Sequence, residues 1–161
     1  MKHPLRIVHL EHSGADSERI GVILATGGIA CAIHRVETER SFTIGITDER
    51  ADLILAEFNT PGCDGDRAFA VARKAASHVP FIFVSSSISE PVITELLNRG
   101  VTDVIPKEAL GRLIPAVQRI LKERQEREGR REAEEALREH QVYLRHIQKL
   151  EAVGRLAGGL A

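Results

Sequence analysis

Five short apolar runs, each followed by a turn and then by an amphipathic stretch, fill the first 121 residues of the chain. The runs are Leu5 to Leu10, Cys31 to Val36, Asp52 to Ala56, Phe81 to Val84 and Thr102 to Ile105. The stretches between and after them are Ser17 to Thr26, Glu39 to Thr47, Asp64 to Ser77, Glu90 to Asn98 and a last one starting near Pro115, a residue tolerated in a first helical turn. Turn chemistry separates them: His12-Ser13-Gly14-Ala15-Asp16 carries helix-capping residues, Gly27-Gly28 and Gly100 end helices, and Asn59-Thr60-Pro61-Gly62 is a turn. A strand followed by a helix, five times over, predicts an α/β fold with a five-stranded parallel sheet, doubly wound and covered by helices on both faces. Every crossover is expected to be right-handed.

The pattern changes after residue 121. Residues 122 to 161 hold 17 charged side chains in 40 positions, nine basic and eight acidic. Lys122 to Glu132 contains no apolar residue, after which Ala133, Ala136, Leu137, Leu144, Ile147, Leu150 and Val153 recur mostly at spacings of three and four. Such spacing predicts a long helix with one apolar seam. Glu123 with Arg127, Glu126 with Arg130 and Glu134 with Arg138 each place an acid four residues before a base, worth about 0.2–0.5 kcal/mol a pair. A helix this polar has too little apolar surface to bury on the preceding domain, so a second copy alongside is the expected partner, with Leu137, Leu144, Ile147 and Leu150 in the dimer seam. The organisation read from the chain is thus a domain over 1–121, a charged coiled-coil helix over 122–147 and a third piece over 148–161.

Composition narrows the function. Of 161 residues, 43% are hydrophobic, and 22 basic side chains stand against 23 acidic ones. That balance lacks the net positive face nucleic acid demands, so no nucleic-acid partner is expected. No apolar run approaches the roughly 20 residues of a membrane span, and no signal peptide follows Met1, so neither a membrane nor an export route is expected and the location is read as cytoplasmic. Cys31 and Cys63 lack metal-ligand spacing and read as reduced structural thiols. His140 and His146 fall on the charged helix as solvated or seam-flanking residues, while His3, His9, His34 and His78 carry no spacing signal.

In a parallel sheet, chemistry gathers at the carboxyl ends of the strands. Those ends carry Glu11 and His12, then Glu57, then Ser85 with Ser86 and Ser87, then Lys107 after Pro106. The motifs Ile7-Val8-His9-Leu10-Glu11-His12, Asp52 through Gly65, Pro80-Phe81-Ile82-Phe83-Val84-Ser85 and Gly100 through Lys107 together resemble, in order, the first strand with its acidic pair, the phosphoacceptor strand and loop, the strand ending in a switch hydroxyl, and the lysine strand of response-regulator receiver domains. The resemblance covers residues 1 to about 121. It implies the flavodoxin-like receiver fold with strand order 2-1-3-4-5, a pocket of Glu11, His12, Glu57, Asn59, Ser85 and Lys107, and a switch at Ser85 and position 104.

Two departures bear on the chemistry the resemblance implies. Glu57 stands where receivers carry the aspartate that takes the phosphoryl group, and His12 where they carry the second magnesium-binding acid. Glutamate extends the carboxylate by one methylene, roughly 1.5 Å. Magnesium prefers oxygen ligands in octahedral array, whereas imidazole suits softer ions. The Asn59 carbonyl faces a metal only if one binds. Magnesium, expected in intact receivers, is therefore not expected here, and Glu57 is expected to pair permanently with Lys107. His12 and Glu57 alone are too few ligands for a transition metal. Val104 stands where receivers place an aromatic residue that swings with the switch hydroxyl, so the relay is incomplete.

A second resemblance lies at the end. Gln148 through Ala161 is similar to the start of the dimerisation helix of sensor histidine kinases, ahead of their phosphorylated histidine. The combined expectation is the N-terminal regulatory region of a two-component sensor histidine kinase: a degenerate, non-enzymatic receiver that dimerises through its helix and acts on the kinase core or on a partner response regulator. The alternative is a working phosphoacceptor receiver of a hybrid kinase or response regulator. A flavodoxin-like ligand-binding module would need a glycine-rich phosphate loop after the first strand, where His12-Ser13-Gly14-Ala15 offers one glycine.

Overall fold

A computed structural model describes residues 3–48 and 50–159. The strands are β1 (Leu5–Leu10), β2 (Cys31–Val36), β3 (Leu53–Ala56), β4 (Asn59–Thr60), β5 (Cys63–Asp64), β6 (Phe81–Ser85) and β7 (Asp103–Pro106). The helices are α1 (Gly14–Thr26), α2 (Glu39–Asp48), α3 (Gly65–Ala75), α4 (Glu90–Asn98) and α5 (Leu113–Gly159), with a 3-10 segment over Lys107–Arg112. Five strands form one parallel sheet in the order β2-β1-β3-β6-β7, as a doubly wound receiver fold requires. The turn expected at residues 59–62 is more than a turn, because β4 and β5 pair antiparallel around Pro61-Gly62 as a minimal hairpin.

Both faces of the central strands are buried, which explains their near-continuous apolar sequence: all four residues of β3 and all five of β6 are inaccessible. On one face Val8, Leu10, Ile54, Ala56, Phe81, Phe83 and Val104 pack with Phe42 and Ile46 of α2, Phe69 of α3 and Leu96 of α4. Phe81 stacks edge-on against both Phe69 and Phe83. Alternation sends Ile7 and His9 of β1, and Glu11 just past it, to the opposite face, beneath α1. There, Gly27 at the end of α1 sits so near the start of α5 that a Cβ would lie 2.8 Å from Ile114 Cγ1.

Local chemistry sets the helix ends. Ser13 caps α1 by accepting from the Asp16 amide (3.2 Å), and Asp64 caps α3 by accepting from the Arg67 amide (2.8 Å). The two ends of α4 differ. Its N-cap Ser89 makes no side-chain capping bond, while its C-terminal end is tied down. Arg99 pairs with Asp66 of α3, Arg73 of α3 donates to the carbonyl of Gly100, and both guanidiniums lie over the Phe69 ring. Gly100 turns the chain there with φ +96°.

The chain divides into two units between Gln118 and Arg119. In the second unit, residues 122–158 are exposed throughout except for the half-buried Ile147. Leu137, Leu144, Leu150 and Val153 are 44–63% exposed. The helix carries Glu128 against Arg124 (3.1 Å), an i,i+4 pair. Among the described residues no helix is long and apolar enough to cross a membrane.

Candidate functional site

Main-chain pairing delivers the acids to one end of the sheet. The Glu11 amide donates to Val36 O (3.0 Å) and the Glu57 amide to Leu10 O (2.9 Å), so both residues emerge one step past the paired strands. Glu11 is 3% and Glu57 7% exposed. Lys107 follows β7 directly. Its Nζ lies 2.7 Å from Glu11 Oε2, 2.7 Å from Asp16 Oδ2 and 2.9 Å from Glu57 Oε2. Two of these contacts, to Glu11 and Asp16, are hydrogen bonds, and the third is an ion pair.

The outer oxygens of two of these acids are also engaged. Glu11 Oε1 accepts from the Ser13 amide (2.8 Å). Glu57 Oε1 accepts from the Ser85 hydroxyl and from the Asn59 amide (3.3 Å), and Thr60 Oγ1 donates to the Glu57 carbonyl (3.1 Å). The loop after Glu57 is held closely. The Gly65 amide donates to Phe58 O (2.8 Å), a Cβ at Gly65 would come within 2.9 Å of that oxygen, and Phe58 stacks edge-on with Phe83.

Lys107, Glu57 and Asp16 are held in their charged forms. Burial works against the ammonium of Lys107, but its hydrogen bonds to Asp16, Glu11 and Glu57 outweigh it and raise its pKa. Burial also works against the charge on Glu57, and the hydrogen bonds from Ser85, Lys107 and the Asn59 amide bring its pKa below the ordinary value. The hydrogen bond from Lys107 does the same for Asp16. Beneath the cluster His9 is wholly buried; its Nδ1 lies 3.0 Å from Ser17 Oγ and its Nε2 has no hydrogen-bond partner. Desolvation, then the nearby Lys107 charge, lowers its pKa to about 4.

Of the residues expected here, Glu11, Glu57, Ser85 and Lys107 are brought together. Asn59 contributes its backbone amide to the group, while its side chain reaches out to Ser87 O (3.4 Å). Val104 is buried in the apolar core next to the sheet. His12 does not join the pocket. Its side chain is 70% exposed, 3.6 Å from Glu37 Oε2, on the side where Arg35 binds the carbonyls of Glu11 and His12 and the carboxylate of Glu37. The third acid comes from Asp16, which the sequence presents only as a capping-turn residue. An acid in the first turn of a helix that starts at the carboxyl end of the sheet is the signal that could have found it.

A magnesium ion, which receiver folds are built to hold, does not fit this arrangement. It needs oxygen ligands at about 2.0–2.1 Å in octahedral array. Here the point on which the carboxylates converge is taken by the Lys107 ammonium, and both oxygens of Glu11 and of Glu57 are already engaged in hydrogen bonds or ion pairs. Among the described residues no group of His, Cys, Asp or Glu has the arrangement of a metal site.

No family model matches the chain, and no curated protein matches it. Solved structures do. A signal receiver domain from Vibrio parahaemolyticus superposes with a TM-score of 0.70 at 19% identity, over 78% of this chain and 96% of that one. The signal receiver domain of an HD domain-containing protein from Pseudomonas fluorescens Pf-5 gives 0.66 at 14% identity, over 77% and 99%. The receiver domain of a sensor histidine kinase from Pseudomonas aeruginosa PAO1, with a magnesium ion coordinated in its active-site cleft, gives 0.63 at 20% identity, over 74% and 99%. At these identities the likeness is one of architecture, and it is specific: the chain has the fold of a response-regulator receiver domain, continued by a long C-terminal helix.

Proposed function

We propose that this chain is the N-terminal regulatory region of a two-component sensor histidine kinase, working in the cytoplasm. Its receiver unit is a degenerate module that transduces a signal without taking a phosphoryl group. The observation that carries this is the ammonium among the acids: Lys107 Nζ lies 2.7 Å from Glu11 and from Asp16 and 2.9 Å from Glu57, at the point where a metal ion would have to sit. Phosphoryl transfer to a carboxylate relies on positioning and on a metal to neutralise charge. Neither is provided where the nucleophile is engaged and its neighbours enclose an ammonium.

The output is assigned to the helix. Leu137, Leu144, Ile147 and Leu150 form the seam of a parallel homodimer, and residues 148–161 resemble the opening of a kinase dimerisation helix. A signal then changes how two helices pair, and it must have a different free energy in the two pairings to count as one. The partners are a second copy, the kinase core and a partner response regulator, with no role for nucleic acid. A neighbour of the same fold is itself the receiver of a sensor histidine kinase, which supports the association of the two modules.

The second reading, a working receiver, is favoured by the contact of Glu57, Lys107 and Ser85, since these are the groups a phosphoacceptor site would use. Incubation with magnesium and acetyl phosphate, followed by intact-mass measurement beside a receiver known to label, separates the two. We expect no mass gain. A stable gain of one phosphoryl group on Glu57 overturns the degenerate reading and establishes the other.

A further inference from the structure

An ammonium has three N–H donors, and in this pocket Lys107 meets carboxylates from three different elements: it donates to Glu11 just past β1 and to Asp16 in the first turn of α1, and it pairs at 2.9 Å with Glu57 just past β3. Lys107 itself comes from the end of β7, so four elements of the sheet end are joined through one nitrogen. Asp16 completes the set. Without it one N–H of Lys107 would lack an acceptor in this cluster, because His12 faces Glu37 and the Ser13 hydroxyl accepts from the Asp16 amide.

We propose that Lys107 is the resident cation of this pocket and that Asp16 is the positioning residue that holds it there, so that a divalent cation and the native placement of Lys107 exclude one another. A divalent ion entering the cluster would have to take oxygens now bound to the ammonium and to stand beside a second positive charge. The ammonium already satisfies the three carboxylates from their centre. The proposal deepens the reading of a receiver that works without phosphoryl transfer and rests on it, because a site built around magnesium would bring back the chemistry that reading denies.

The test uses the full chain with nitrogen-15-labelled lysine, whose ammonium protons are visible by NMR when a hydrogen-bonded cage slows their exchange with water. In the wild type, Lys107 gives a slowly exchanging signal that excess magnesium chloride leaves unchanged; a saturable shift or loss of the signal with magnesium overturns the proposal. In Asp16→Asn the exchange quickens by about tenfold, the effect of losing one charge-assisted hydrogen bond. Unchanged exchange there removes Asp16 from its role. In Lys107→Met the three carboxylates are left without their cation, so manganese or magnesium raises the melting temperature where sodium chloride of equal ionic strength does not, and the absence of that response also overturns the proposal. Should Lys107→Met fail to fold, the first two measurements decide. Labelling of Glu57 by acetyl phosphate with the Lys107 signal unmoved by magnesium defeats only the functional reading. A magnesium-sensitive Lys107 without labelling defeats only this one.

Discussion

His9 offers a direct measure of how dry the pocket floor is. The folded protein holds its imidazole neutral with a pKa of about 4, against an ordinary 6.5, because the ring is wholly buried with Lys107 nearby and only Ser17 to bond. A group with a lowered folded pKa binds more protons unfolded than folded, so its stabilisation is complete above about pH 6.5 and drains away as pH falls toward 4. At about pH 5 the unfolded imidazole lies some 1.5 units below its pKa and is protonated while the folded one is largely neutral. At 1.36 kcal/mol per unit the loss from near-neutral pH is about 2 kcal/mol. Asp16 and Glu57, whose pKa values are lowered, lose their contributions at more acidic pH, below their ordinary 3.8 and 4.5. Replacing both members of the pair, His9→Leu with Ser17→Ala, removes the titrating ring and the unpartnered Nε2 together. Exchanging both partners for apolar groups is close to neutral. Urea unfolding followed by NMR on β3 amides, at about pH 7.5 and about pH 5, should show the wild type losing about 2 kcal/mol more than the double variant. Parallel losses in the two proteins would refute a buried neutral His9.

Four further outcomes are expected. Ser85→Ala deprives the buried Glu57 carboxylate of a donor and costs about 1.5–3 kcal/mol by urea unfolding, with the Glu57 pKa moving upward by NMR titration. Gly65→Ala forces a Cβ to within 2.9 Å of Phe58 O and costs about 1–3 kcal/mol in the same assay. The chain sediments as a dimer, and Leu137→Asp with Leu144→Asp weakens association by at least about a hundredfold; a wild-type monomer at high micromolar concentration contradicts the seam. In a full-length kinase, seven residues inserted between Leu121 and Glu132 preserve heptad register and activity, whereas three or four alter it; indifference to every insertion length would make the helix a passive tether.

Sheet and helices were legible because a parallel sheet buried on both faces leaves unmistakable apolar runs, and α4 falls on Glu90–Asn98 as its flanking turn residues predict. What escaped depends on main-chain geometry. The β4–β5 hairpin is two residues a side, too short for any periodicity to mark. Asp16 is masked in the sequence because α1 begins at Gly14, three residues before its apolar pattern does, which turns a capping-turn residue into a first-turn side chain at Lys107. His12 was expected in the pocket from its place in the motif. Arg35, reaching from β2 to the carbonyls of Glu11 and His12 and to Glu37, sets the loop so that the imidazole faces the solvent. Lys107 is legible from its strand, while the number of carboxylates it gathers is a property of four elements meeting, which no single segment records.

The unequal ends of α4 have a mechanical consequence. Arg73 and Arg99, lying over Phe69 and gripping Gly100 and Asp66, make the C-terminal end a pivot, while Ser89 at the other end makes no side-chain capping bond. A disturbance reaching this helix from the strand ends should therefore swing its first turn and leave its last in place. Amide exchange along α4 should then fall steadily from Ile93 toward Gly100, the helix behaving as a lever fastened at one end.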